Sequence, residues 1–392
     1  MEKSISNRFY FDYNATSPLS IKVQDFLRSG DFLFGNPSSL HQDGKSAKKR
    51  ISETSSYLFS LFKLTENQFR IVYHSGASEG INAFFKGIAL DGFIKKERYS
   101  FYFSSVDHAC VYNQKEFLES IGHEVVYFGV NQNGEFNCDQ LINEIQQKEK
   151  NGIKTFLNFT AVNNESGVVW PFSLAEKIKM ETNTIIHVDA VQIVGKINQW
   201  NELSNLLDAY TFSGHKFGSL KGVGFSFINK KINLVPLIIG GNQQNGLRSG
   251  TENALGIYSI KLALNDINEH FDADKSQVAI KYLSQEITNL VGDKGEIVAF
   301  QNKSKNLNTI FLILFNQKSD IISARFDLAG ISVSTGSACS SGIIKENRIL
   351  MNMGYSSADS KSAIRFSFDS NLDLEKSKAY FLEIKKVLDS IL

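Results

Sequence analysis

Phe69-Arg70-Ile71-Val72-Tyr73-His74 is a largely apolar run that passes directly into Ser75-Gly76-Ala77-Ser78 and from there into a helical pattern. A strand that ends on glycine and serine and opens a helix presents free amides and a positive helix end at one point beyond its carboxyl end. Such a point suits an anion, although Gly and Ser in this position serve equally as plain caps. The same unit recurs along the chain. Strand-like runs at 69–74, 100–104, 125–130, 155–161, 185–188, 209–212 and 224–228 are mostly separated by helix-length segments such as 78–90, 109–121 and 138–148. This alternation predicts an α/β fold with a mostly parallel seven-stranded sheet covered by helices on both faces.

Past residue 251 the pattern changes. Helices are expected at 258–269 and 274–291, strands at 297–300 and 308–315, and a helix at 319–329. Strands at 331–333 and 364–368 and an amphipathic helix at 374–392 follow. This reads as a smaller α+β domain, giving a large domain over 16–252 and a small one formed by 1–15 with 253–392.

Composition frames the function. A chain of 392 residues, 42% apolar and 12% aromatic, buries a substantial core. With 42 Lys+Arg against 41 Asp+Glu, its charge of +1 gives no nucleic-acid or membrane footprint. The first thirteen residues are too polar for a secretory signal, and no run reaches the length of a membrane span, so a cytoplasmic location is expected. Cys110, Cys138 and Cys339 are far apart and lack CxxC spacing, which points away from a disulfide framework or a zinc site.

Ligands in open α/β sheets bind outside the carboxyl ends of the strands. Four further motifs fall there in chain order. Val106-Asp107-His108 offers an imidazole to stack on a ring or carry a proton. Asn163-Asn164-Glu165 offers an amide donor, and Asp189 with Gln192 offers a carboxylate suited to a protonated pyridine nitrogen. Ser213-Gly214-His215-Lys216 offers a hydroxyl, an imidazole and an amine. Each motif alone is consistent with an ordinary turn, cap or surface side chain. Together they describe one site for a pyridine-aldehyde phosphate.

The residues that carry a family resemblance run nearly the full length. They include Phe11-Asp12-Tyr13-Asn14-Ala15-Thr16, Gly35-Asn36-Pro37-Ser38-Ser39, Ser75-Gly76-Ala77-Ser78-Glu79 and His187-Val188-Asp189-Ala190. Further on come Arg248-Ser249-Gly250-Thr251, Ser334-Thr335-Gly336-Ser337-Ala338-Cys339 and Ile364-Arg365-Phe366-Ser367. In these the chain resembles the NifS/IscS-type cysteine desulfurases, in the class V aminotransferase group of fold-type I pyridoxal phosphate enzymes. The resemblance implies pyridoxal 5'-phosphate attached to Lys216 as a Schiff base, with Asp189 on the ring nitrogen and His108 over the ring. It also implies Gln192 and Asn164 near the phenolic oxygen, Ala77, Ser78, Ser213 and His215 around the phosphate, and Thr251 reaching the cofactor of a neighbouring subunit in a homodimer. Arg365, with Asn164, is implied to bind the substrate carboxylate.

Cys339 separates the possible reactions. Removing sulfur from L-cysteine requires a nucleophile to accept it, whereas transamination needs no thiol. Its glycine- and serine-rich surroundings suit an exposed, mobile loop that visits the cofactor and then passes sulfur on as a persulfide. The expected partner is a protein sulfur acceptor, for iron–sulfur cluster assembly or for tRNA or cofactor thiolation. A selenocysteine lyase or another class V aminotransferase is the alternative reading, and a non-enzymatic interaction protein is a third. Two departures from the family pattern stand out. Gln244-Asn245 replaces a glutamate and arginine after Gly240-Gly241, and the sequence ends at Leu392 without the tail by which some relatives engage a scaffold.

Overall fold

The computed structural model describes residues 8–335 and 345–392. Its strands are β1 (Phe9–Tyr10), β2 (Phe69–His74), β3 (Tyr99–Ser104), β4 (Glu124–Phe128), β5 (Lys154–Thr160), β6 (Ile185–Asp189), β7 (Ala209–Ser213), β8 (Gly224–Asn229), β9 (Gly295–Ile297), β10 (Thr309–Leu314), β11 (Ile331–Ser332) and β12 (Ala363–Ser367). Seven form the main sheet in the order β2-β8-β7-β6-β5-β3-β4. Strands β4, β3, β5, β6 and β7 pair in parallel, while β8 runs antiparallel to both β7 and β2. The expected α/β architecture is therefore present, and the carboxyl ends of β2, β3, β5, β6 and β7 share one edge.

The central strands are legible as continuous apolar runs because both faces are covered, as parallel sheets require. All six residues of β3 are buried. On one face lies the helix Ala77–Lys95, whose Phe85 stacks on Phe103 at 5.5 Å and meets Phe156 edge-on at 4.8 Å. The helix expected at 109–121 is split into Ala109–Tyr112 and Lys115–Ser120. At the break the Gln114 amide donates to the Cys110 carbonyl at 2.8 Å and to Asn82 Oδ1 at 3.0 Å, ending the first helical piece and tying it to the helix in front.

The smaller sheet has β10 between β12 and β9, antiparallel to both. β10 reads Thr-Ile-Phe-Leu-Ile-Leu because each face meets a different core. Phe311 and Ile313 belong to the large apolar cluster under the main sheet, and Ile310, Leu312 and Leu314 to a second cluster with the helices Ala273–Val291 and Leu374–Asp389. β1 pairs in parallel with β11, so Phe11 joins that second core. The helix Ala254–His270 packs with Ile257, Ile260 and Leu264 in the large cluster, so its packing groups it with the main sheet. It lies against the twenty-residue helix Gln42–Leu61, which the periodicity had not revealed.

Gln244 and Asn245 both adopt left-handed backbone, φ 51° and 57°. The Gln244 side chain accepts from Tyr73 N at 2.5 Å and donates to Tyr73 O at 2.9 Å, occupying the free edge of β2. This departure from the family pattern therefore has a defined structural task. Among the described residues no helix is long and apolar enough to cross a membrane.

Candidate active site

A cavity of about 600 Å³ opens at the shared strand edge, within the range of small-ligand sites. Ala77 and Ser78 reach it from the turn after β2, His108 from the turn after β3, and Asn164 from the turn after β5. Asp189 and Gln192 reach it from β6, and Ser213, His215 and Lys216 from β7. Arg365 does not line it and is buried. Thr251, expected to reach the cofactor of a neighbouring subunit, is exposed and is not part of this cavity. Cys339 lies outside the described residues, and so does its expected loop setting.

The electrostatics suit a cationic ring and an anion. The Asp189 carboxyl accepts one hydrogen bond, from Val191 N at 3.1 Å, and burial raises its pKa to about 6. A buried carboxylate with so few partners is stabilised by a protonated ring nitrogen placed against it. Lys216 Nζ donates to the carbonyls of Asn14 at 2.7 Å and Ala15 at 2.8 Å. Burial and the nearby Arg365 cation lower its pKa to about 8, which enlarges the unprotonated fraction able to act as nucleophile or base. His108 Nδ1 accepts from Cys110 N at 3.2 Å, which places the ring proton on Nε2. Burial, Lys216 and Arg348 favour this neutral ring.

The anion-binding end has the same logic. Gly76 precedes the helix Ala77–Lys95 with no side-chain cap, so the first amides face the cavity unspent. A Cβ on Gly76 would come 3.6 Å from Ser213 Oγ, filling the gap between helix start and hydroxyl. His215 Nδ1 lies 3.2 Å from Thr16 Oγ1, which holds the imidazole at this wall. A carboxyl awaiting a cation, an amine of lowered pKa and an uncapped helix start in one cavity fit pyridoxal phosphate.

The Asp189 shift has a stability consequence with a definite sign. A carboxyl whose folded pKa lies above its unfolded value of 3.8 keeps its proton more tightly when folded, so stability falls as pH rises from about 4 to about 6. In cofactor-free protein at pH 7.5, Asp189→Asn is expected to raise stability by up to about 3 kcal/mol, with no gain at pH 3. Thermal melts of both proteins at the two pH values check this. Equal melting temperatures at pH 7.5 would refute the assignment of Asp189 as an uncompensated buried acid.

Sequence reasoning overlooked the residue on which the floor converges. Asn14 is 1% exposed and joins both cores. Its amide nitrogen donates to Ser367 Oγ, and its Nδ2 donates to Asn164 O and Thr309 Oγ1. Its Oδ1 accepts from Lys196 and Asn308, and its carbonyl accepts from Gln192 and Lys216. Arg365 sits beside this hub, donating to Asp12 Oδ1 at 2.7 Å and Asn164 O at 3.0 Å, with its buried Nε lacking a partner. Cys110, read from sequence as packing, lines the cavity with its Sγ 3.1 Å from His108 Nδ1.

The chain on either side of residues 336–344 is anchored near the cavity. Ser334 bridges to Arg365. Asn347 donates to Glu165 Oε2 at 2.5 Å, and Arg348 donates to the carbonyls of Ser105 and Asp107 while stacking 4.0 Å over the Tyr112 ring. Asn347 and Arg348 therefore touch the turns that supply Asn164 and His108.

Comparison with known proteins agrees with this geometry. The family model described as aminotransferase class-V matches residues 9–376. The chain is 31% identical over 366 residues to the cysteine desulfurase IscS of Dictyoglomus turgidum, covering 91% of this chain and 89% of the relative. Its fold is similar to the X-ray structure of a NifS-like protein from Rickettsia africae, with a TM-score of 0.83, 26% identity and coverage of 98% and 100%. It is also similar to SspA in complex with cysteine, with a TM-score of 0.76, 26% identity and coverage of 92% and 99%.

Proposed function

The chain belongs to the aminotransferase class-V family, and from that premise we propose how its residues convert L-cysteine to L-alanine with transfer of the sulfur to Cys339. It is an enzyme, a pyridoxal 5'-phosphate-dependent cysteine desulfurase. The observation that carries the residue roles is the meeting of the Lys216 amine, the under-partnered Asp189 carboxyl and the uncapped helix start in one cavity.

When bound, the cofactor supplies an aldehyde carbon for an amino group and a ring that withdraws the electrons released at the substrate. The protein residues do the rest. Asp189 would hold a proton on the ring nitrogen, and His108 would stack on the ring. The amides of Ala77 and Ser78, with Ser78, Ser213 and His215, would hold the phosphate at the positive helix end. Gln192 and Asn164 would serve the ring oxygen. Arg365, fixed by Asp12 and buried outside the cavity lining, is assigned to the substrate carboxylate on the family resemblance.

Lys216 Nζ then takes the proton from the substrate Cα, which a pKa of about 8 suits near neutral pH. The Cys339 thiolate forms a bond to the substrate sulfur as the Cβ–S bond breaks. The electron pair stays on carbon, which takes up a proton carried by His108 Nε2 to become the methyl group, and the proton held on Lys216 Nζ returns to Cα to complete alanine.

Beyond the reaction, the reading includes a homodimer in which Thr251 reaches the partner's cofactor, a cytoplasmic location and a protein that accepts the persulfide sulfur. The test is direct. Purified protein loaded with pyridoxal phosphate and given L-cysteine and a reducing thiol is expected to release alanine and sulfide in equal amounts. Amino transfer to a keto acid without sulfide would overturn the desulfurase assignment.

A further inference from the structure

Lys196 looks in sequence like a surface lysine, yet it is 4% exposed and lies under the cavity floor. Its Nζ donates to two side-chain oxygens, Gln192 Oε1 and Asn14 Oδ1, the second at 3.1 Å. An amide side chain has two chemically different ends, and its partners decide which end points where. With Oε1 turned down onto Lys196, Gln192 turns its Nε2 toward the wall, where one N–H is spent on Asn14 O at 3.0 Å. The second N–H is left for the cavity, which Gln192 lines. We propose that Lys196 is a positioning residue that locks the Gln192 amide with its N–H toward the cavity, so that this N–H donates to the ring oxygen of the bound cofactor.

Two acceptors match the two N–H bonds of a neutral amine. The surroundings favour that form, since burial and the cations of Lys216 and Arg365 push the Lys196 pKa well below its ordinary value. No acidic side chain is hydrogen-bonded to its Nζ. Lys196 therefore acts through hydrogen-bond geometry rather than as a counter-charge. It also couples Gln192 to Asn14, whose carbonyl receives Lys216 Nζ, so a single buried amine sets the orientation on both sides of the expected attachment point.

This inference rests on the pyridoxal phosphate reading, and the readout separates the two. Holoenzyme is titrated with acid and base while the visible absorbance of the bound cofactor is followed. A donor to the ring oxygen stabilises its anionic form, so losing that donor strengthens proton retention by the chromophore. Lys196→Met, which keeps the length but has no donor, is expected to raise the titration midpoint by about one pH unit, a tenfold change in proton affinity. Lys196→Gln, which keeps an N–H donor without charge, is expected to stay within about 0.3 unit of wild type. In a Gln192→Leu background the effect of Lys196→Met should vanish, since it acts through that side chain. A Lys196→Met midpoint equal to wild type overturns the proposal, as does a full-unit shift in Lys196→Gln, which would make charge the agent. If Lys196→Met does not fold, Lys196→Gln decides by the same criterion. Absence of any visible band in wild type would instead refute the cofactor reading.

Discussion

Lys216→Ala is expected to abolish cofactor attachment and to lower the rate of alanine formation by at least about 10⁴-fold, because one amine serves both for covalent linkage and for removal of the Cα proton. The two losses are separable. Wild-type protein loaded with pyridoxal phosphate should show a visible band that survives gel filtration, and the variant should lose the cofactor on the same column. The fold should persist, because Lys216 Nζ is bonded to two carbonyls at a cavity wall and carries no core packing. Removing an amine whose pKa burial depresses also relieves a desolvation cost in the cofactor-free protein. The melting temperature without cofactor should therefore stay level or rise. The vacated space lets a small primary amine in solution take over proton removal, so partial rescue by ethylamine is expected, increasing with pH as free amine becomes available. Retention of activity within about tenfold of wild type would remove Lys216 from its assigned role.

The main sheet was readable because its chemistry is local. β2 was placed to the residue at 69–74, β3, β6, β7 and β8 differ from expectation by one residue at one end, and β5 is shifted by one residue, since apolar strands buried on both faces announce themselves. The helix Gln42–Leu61 was missed because its buried side is a narrow stripe of Ala47, Ile51 and Leu58 among Lys45, Lys48, Lys49 and Arg50. The break at Asn113 was missed because it depends on where the Gln114 amide goes, which no pattern records.

Site residues divide the same way. Asp189, His108 and Lys216 could be read because several motifs fall in chain order at strand ends and together describe one site, although each alone fits an ordinary turn, cap or surface side chain. Asn14 and Lys196 could not, because their importance lies in convergence. Asn14 bonds Ser367 across 353 positions of sequence, and Lys196 is distinguished from any other lysine only by being enclosed. Nothing in the sequence sets this asparagine and this lysine apart from others of their type, and only the folded chain shows that Lys216, Gln192, Asn164 and Arg365 are tied to the same hub.

Cys339→Ala is expected to lower sulfide and alanine formation by at least about 10²-fold while leaving cofactor binding intact, since sulfur removal needs a nucleophile that Lys216 cannot replace. The visible band and its change on adding L-cysteine should both remain, because attachment and proton removal belong to Lys216. The competing explanation is a different thiol. Among the described residues Cys110 is the only cysteine lining the cavity, with its Sγ against His108. Its environment argues against nucleophilic use, because burial and the carboxyls of Asp189 and Asp107 hold the thiol strongly protonated. Cys138 lies at the start of a helix on the far side of the sheet core, with its pKa also raised by burial. Brief treatment of holoenzyme with L-cysteine, without added reductant, followed by alkylation and peptide mass mapping, is therefore expected to place the added sulfur atom on Cys339. An added sulfur on Cys110 would reassign the acceptor to a thiol fixed inside the cavity, which could not carry its sulfur outward to another protein. A Cys339→Ala variant that still forms alanine and sulfide at near wild-type rate would leave the scaffold and cofactor assignments standing and remove the persulfide relay.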